Sequence, residues 1–113
     1  MAIDPEKLRN WKLADVVHRY TARDTILYAL GVGLGDDPTD PRQLRYVYER
    51  DLAALPFMAL VLAHPGFWLK DPATGVDWAQ VLHVGQTLAL HAPLPPAGEV
   101  VGTTRVTGLS DKG

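Results

Sequence analysis

The stretch LAALPFMALVLA, residues 52–63, contains no charge and no hydrogen-bonding side chain. It is well short of the roughly 20 apolar residues that cross a bilayer. Periodicity cannot choose between helix and strand in a run that is apolar on every side. Ala, Leu and Met nevertheless favour a helix. Pro56 suits a first helical turn, where its missing N–H costs nothing, and His64-Pro65-Gly66 supplies a stop. A helix apolar all round has to be buried all round. One such short helix in a small, strand-rich chain points to a sheet curled around it, and the plainer alternative is an ordinary core helix.

The 113 residues suffice for one domain, read as a single unit over 1–113. At 47% hydrophobic and 21% charged, the composition is that of a globular protein. A formal net charge of −2 lacks the basic face that phosphate backbones require, which argues against a nucleic-acid partner. With no cysteine there is no disulfide, thiolate metal site or thiol nucleophile. Met1-Ala2-Ile3-Asp4-Pro5-Glu6 has neither the basic flank nor the apolar core of a signal peptide, so the expected compartment is the cytoplasm, without a membrane partner.

Outward from the apolar stretch, residues 1–10 read as a loosely held polar lead-in. Val16-Val17-His18-Arg19-Tyr20 reads as a first strand. Thr21 and Asp24 cap a helix over 22–30, which Gly31, Gly33 and Gly35 end. This G-x-G-x-G follows a helix, whereas a phosphate loop follows a strand. Asp40 caps and Pro41 opens the next helix, with Leu44, Val47 and Tyr48 at helical spacing. Its Arg42, Arg45 and Arg50, interleaved with Tyr46, Tyr48, Glu49 and Asp51, read as a solvated face with local pairing, the alternative being a contact with an anionic ligand. Residues 79–92 alternate from Val81 onward, with Leu82, Val84, Gln86, Leu88 and Leu90 on one side. That predicts a long strand, with 99–109 as its β-branched hairpin partner. An α+β fold follows, yet three strands cannot wrap a helix on every side, so the fold reads as incomplete.

Little chemistry stands out. His83 and His91 are eight positions apart, about 26 Å along one strand, too far to share a metal. Ser110 is the only serine and lies in no nucleophile elbow.

The segments taken together are more specific. Tyr20-Thr21, Tyr28-Ala29-Leu30-Gly31-Val32-Gly33, Asp40-Pro41-Arg42-Gln43-Leu44-Arg45-Tyr46-Val47-Tyr48-Glu49 and Leu55-Pro56-Phe57 occur in that order. Val81-Leu82-His83, Gln86, Pro93-Leu94-Pro95, Gly98 and Asp111-Lys112-Gly113 follow. Over residues 12–113 this resembles the MaoC-like, (R)-specific 2-enoyl-CoA hydratase 2 family. The resemblance implies a double hot dog, in which each antiparallel sheet wraps a central helix, here 56–63. This chain would be the N-terminal hot dog, without its last two strands and without the second hot dog. The family's catalytic Asp and His lie in a GD-x-NP-x-H motif of that second half and do not occur here, so no catalytic residue and no metal ligand is assigned.

Three ligand-contacting positions carry over from the resemblance. His83 matches the histidine of an LHGEQ-like segment whose backbone lies against CoA. Val84 and Gly85 stand where the family has glycine and glutamate, and a side chain at Val84 would crowd that approach. Lys112 matches the lysine of Asp-Lys-Gly, which meets a CoA phosphate as a point charge. The implied function is the acyl-CoA-binding part of a hydro-lyase that adds water to trans-2-enoyl-CoA, giving a (3R)-hydroxyacyl-CoA in fatty-acid metabolism. No cofactor is expected beyond the CoA thioester substrate, and the chain alone is expected to be inactive. The expected partners are a C-terminal hot dog or a second hot-dog chain, with a dimer as the assembly. The alternatives are a non-catalytic acyl-binding or scaffolding subunit, and a dehydratase acting on acyl-carrier protein.

Overall fold

Pro56 does open a helical turn, and in the computed structural model, which describes residues 2–113, that turn is a 3₁₀ helix over Pro56–Leu60. It is shorter than the apolar run and is not enclosed. Met58 is 1% exposed and Ala63 is buried, whereas Phe57 and Val61 lie about half in solvent. Burial on every side is therefore corrected to burial on one side.

The elements around it follow local signals. Helix α1 spans Pro5–Arg9, strand β1 Val16–Tyr20, helix α2 Ala22–Gly31, helix α3 Pro41–Val47 and strand β2 Gly98–Gly102. Helix α2 starts where the Thr21 N–H donates to Asp24 Oδ2 at 2.8 Å. At its far end Gly33 and Gly35 take positive φ, which glycine tolerates without strain. The Gly35 N–H then donates to Gln43 Oε1 at 2.7 Å, tying α2 to α3. Asp40 Oδ1 caps α3 by accepting the Arg42 N–H at 2.9 Å. On α3 the charges pair locally, Arg42 with Asp40 at 3.2 Å and Arg45 stacked 5.3 Å from the Tyr46 ring centroid.

The lead-in is more ordered than the sequence suggests. Asp4 Oδ1 accepts the N–H groups of Glu6 and Lys7, Pro5 opens α1, and Leu8 is 5% exposed. The chain's three tryptophans gather near this end. Trp11 stacks on Trp68 with centroids 6.0 Å apart, and Phe67 meets Trp78 edge-on at 6.1 Å. Lys70 Nζ lies 4.5 Å above the Trp78 ring, a cation–π contact.

Strands β1 and β2 pair antiparallel, Val16 opposite Gly102 through Tyr20 opposite Gly98. Val16, His18 and Tyr20 of β1, with Gly98, Val100 and Gly102 of β2, share the less exposed face. The end of the apolar stretch lies on it. Ala63 takes φ 51°, and its N–H donates to His18 Nδ1 at 2.9 Å. A Cβ on Gly102 would stand 2.5 Å from the Ala63 carbonyl oxygen and 2.7 Å from its Cβ. The α+β class and an antiparallel sheet against the central helical segment are what a hot-dog N-terminal part requires.

The long strand expected from Val81 onward is not formed. Among the described residues the sheet has two strands, and the partner of β2 is β1, not the 79–92 segment. The expected hairpin over 99–109 reduces to Gly98–Gly102. The physical reason lies in the connection before β2. Tyr20 Oη–H donates to the Pro95 carbonyl at 2.5 Å and Thr25 Oγ1–H to the Pro96 carbonyl at 2.7 Å. These bonds deliver β2 to β1, and 81–92 is left without a ladder partner, its alternating apolar face open. Leu82 is 83% and Val84 94% exposed. The radius of gyration, 17.7 Å, exceeds the roughly 13 Å of a compact chain of this length, and the extents are 54 × 27 × 23 Å.

The Gly102 contact yields a sharp test. Gly102→Ala should destabilise the protein by about 1–3 kcal/mol or more, because backbone rather than a movable side chain receives the new methyl. Gly108→Ala, where nothing lies within 4 Å, is the control and should stay within about 0.5 kcal/mol. Denaturant unfolding of both variants checks the difference.

Candidate functional site

Two concavities bear on function. The first is an apolar recess of about 320 Å³ between the end of α2 and the start of the central 3₁₀ helix, lined by Tyr28, Val32, Leu34, Leu55, Pro56 and Phe57. Its volume lies at the lower end of ordinary small-ligand pockets. The Tyr28-Ala29-Leu30-Gly31-Val32-Gly33 stretch builds one wall. The helix brings Tyr28 and Val32 to the same side, and Gly33 and Gly35 turn the chain so that Leu34 faces them. Residues 55–57 supply the opposite wall. No charged side chain lines the recess, and its apolar walls suit a hydrocarbon.

The second is a groove of about 620 Å³ between α1 and residues 109–112. Ile3, Leu8 and Leu109 give it an apolar floor, and Arg9 and Lys112 are its cationic residues.

The candidate residues fall in different places. Lys112 lines the second groove and is exposed. His83 and Val84 line neither concavity. His83 Nε2–H donates to the Gly85 carbonyl at 2.7 Å within its own turn of chain, and the Val84 side chain stands in solvent. His83 is therefore not brought to Lys112. Nothing in the sequence singles out Leu34 of the recess or Arg9 of the groove, and Phe57 stands out there only as part of the apolar stretch and of the Leu55-Pro56-Phe57 segment. A signal was present: Tyr28 and Val32, four apart with glycines beyond, mark an apolar helix end followed by a turn. Among the described residues no three His, Asp or Glu side chains converge as metal ligands, and no helix is long and apolar enough to cross a membrane.

Electrostatics outside these concavities concern the scaffold. A hydrogen bond from the Arg42 side chain, joined by its backbone N–H, holds the Asp40 carboxyl below its ordinary value. Thr39 does the same for Asp37. Burial raises the Tyr20 phenol above its ordinary 10.0, which keeps its proton available to the Pro95 carbonyl.

The unfolded chain ionises that tyrosine first as pH climbs. Its share of stability is therefore complete below pH 10.0 and lost as pH rises through the higher folded value. Tyr20→Phe should cost about 1–3 kcal/mol at neutral pH, by leaving a proline carbonyl unpaired. The same variant should lose stability less steeply above about pH 10. Unfolding free energies of parent and variant across the alkaline range check both effects.

Comparison with known proteins places the chain by its sequence. The family model described as the MFE-2 hydratase 2 N-terminal domain matches residues 18–113. Enoyl-CoA hydratase ChsH3 of Mycobacterium tuberculosis is 37% identical over all of this chain and 41% of its own length. The 3-hydroxyacyl-thioester dehydratase Y of the same organism is 35% identical over all of this chain and 38% of its own length. The peroxisomal multifunctional enzyme type 2 of Mus musculus is 33% identical over 90% of this chain and 14% of its own. The chain thus spans about two fifths of the length of the first two relatives.

Proposed function

The chain belongs to the MFE-2 hydratase 2 N-terminal domain family, and from that membership we propose that it is the acyl-binding part of a 2-enoyl-CoA hydratase. The reaction adds water across the C2–C3 double bond of a trans-2-enoyl thioester, oxygen to C3 and hydrogen to C2, and yields the (3R)-hydroxyacyl-CoA. It needs no cofactor. The names of the relatives, an enoyl-CoA hydratase and a 3-hydroxyacyl-thioester dehydratase, describe the two directions of one hydro-lyase reaction and support this reading.

The observation that carries it is the uncharged recess between Tyr28 and Phe57. An acyl tail pushed into such walls gains about 0.8 kcal/mol per buried methylene. That energy holds the thioester end in place without taking part in proton transfer. The Asp and His that activate water belong, in this reading, to a second hot dog, either C-terminal in a longer protein or on a partner chain. That second unit also covers the open apolar residues Leu82, Val84, Phe57 and Val61. Lys112, exposed beside its groove, attracts a CoA phosphate with the modest strength of a screened surface charge, about 1 kcal/mol or less.

Val32→Trp tests the recess, because Val32 is 58% exposed and a larger ring there fills the cavity without straining a core. In the complete protein, loss of the enoyl thioester's ultraviolet absorbance follows hydration. Displacing two or three methylenes should raise KM for long-chain enoyl-CoA about thirtyfold. KM for a short-chain enoyl-CoA should stay unchanged. An equal effect on both chain lengths, or none on either, would remove the recess from the acyl path. A complete protein with no hydratase activity would favour the scaffolding alternative.

A further inference from the structure

We propose that His18 is a positioning residue for acyl-chain selection, whose neutral ring holds the apolar stretch at Ala63 and with it the Phe57 wall of the recess. The inference rests on the reading of that recess as the acyl site and adds a residue outside its lining.

The bond to Ala63 fixes the state of the ring. A backbone N–H can only donate, so the 2.9 Å contact requires a bare Nδ1 and leaves the neutral ring's proton on Nε2. A protonated imidazole donates from both nitrogens and has no lone pair to offer. Protonation therefore sets N–H against N–H and leaves a buried donor unpaired, Ala63 being 6% exposed. Ala63 then has no partner to hold its left-handed backbone, φ 51°, which alanine adopts only at a cost.

The consequence reaches the recess through the backbone. Val61 and Leu62 N–H groups donate to the Met58 carbonyl at 3.0 and 3.3 Å, and the next residue back is Phe57. The stretch is fastened at Met58, in the core, and at Ala63, on the sheet. A cavity of about 210 Å³ beside Ala59, Leu62, Ala63 and Val100 gives a released end room to shift.

The charged and titratable groups on the elements around His18 have other partners or face away. On β1 the Tyr20 ring meets it edge-on with centroids 6.5 Å apart, and the Tyr20 hydroxyl is bonded to Pro95. Arg19 pairs with Glu99 at 3.1 Å on the opposite face of the sheet. On that less exposed face β2 presents Gly98, Val100 and Gly102, none of which titrates. Asp15 accepts from the Thr103 hydroxyl, and on α2 Asp24 accepts the Thr21 N–H while Arg23 is exposed. His64, next to Ala63, accepts the Gly66 N–H at 2.9 Å in its own turn. Histidine titrates between pH 5 and 8, so the Ala63 bond is present at alkaline pH and lost on acidification.

The test is the ratio of KM for long-chain to short-chain enoyl-CoA in the complete protein, at about pH 8 and about pH 5.5. The ratio cancels the groups that activate water, because they serve both substrates. In the parent it should rise about fourfold on acidification, the equivalent of one methylene's burial. His18→Asn should keep the low ratio at both pH values, since Asn Oδ1 stands where Nδ1 does, accepts the same bond and does not titrate. His64→Asn should respond to pH as the parent does. A parental ratio indifferent to pH, an equal rise in His18→Asn, or loss of the rise in His64→Asn overturns the proposal. If Val32→Trp shows no chain-length effect, the acyl reading fails by itself. The hold of His18 on Ala63 is then read from the Ala63 amide resonance, which should move on acidification in the parent and stay fixed in His18→Asn. A resonance that stays fixed in the parent overturns the hold as well.

Discussion

The meeting of Ala63 with the β1–β2 sheet is the contact on which the other placements depend. Ala63 adopts a left-handed backbone, φ 51°, which costs an alanine roughly 1–2 kcal/mol. Two neighbours hold it there. His18 Nδ1 accepts its N–H at 2.9 Å, and Gly102 has no side chain where the Ala63 carbonyl passes. The apolar stretch thus ends against the sheet, with Met58 inward and Phe57 free to form a wall of the recess.

The same sheet depends on hydroxyl groups. Tyr20 and Thr25, each 1% exposed, bond the carbonyls of Pro95 and Pro96. A proline carbonyl is the only polar backbone group its residue has, so these bonds satisfy the segment that leads into β2. What they leave open is as informative as what they close. Leu82, Val84, Phe57 and Val61 face solvent along an elongated body.

Local signals in the sequence were legible and long-range pairing was not. Thr21 with Asp24, and Asp40 with Pro41, marked the starts of α2 and α3, because capping is decided within four residues. Asp4-Pro5 carries the same signature as Asp40-Pro41 within a stretch that otherwise reads as a polar lead-in, and it caps α1. The alternation from Val81 to Leu90 shows which side chains share a face, but it does not say which backbone lies alongside. That partner depends on the Tyr20 and Thr25 bonds to residues 75 and 71 positions away. Lys112 enters as a candidate only through a family motif. The recess was not, because Leu34 and Phe57 meet only after two turns have formed.

The most direct measurement is a crystal structure of the complete protein with a long-chain (3R)-hydroxyacyl-CoA bound. The account predicts the acyl tail between Tyr28, Val32 and Phe57, with the thioester directed toward the second hot dog. An acyl tail lying elsewhere, with the recess empty or closed by protein side chains, would contradict it.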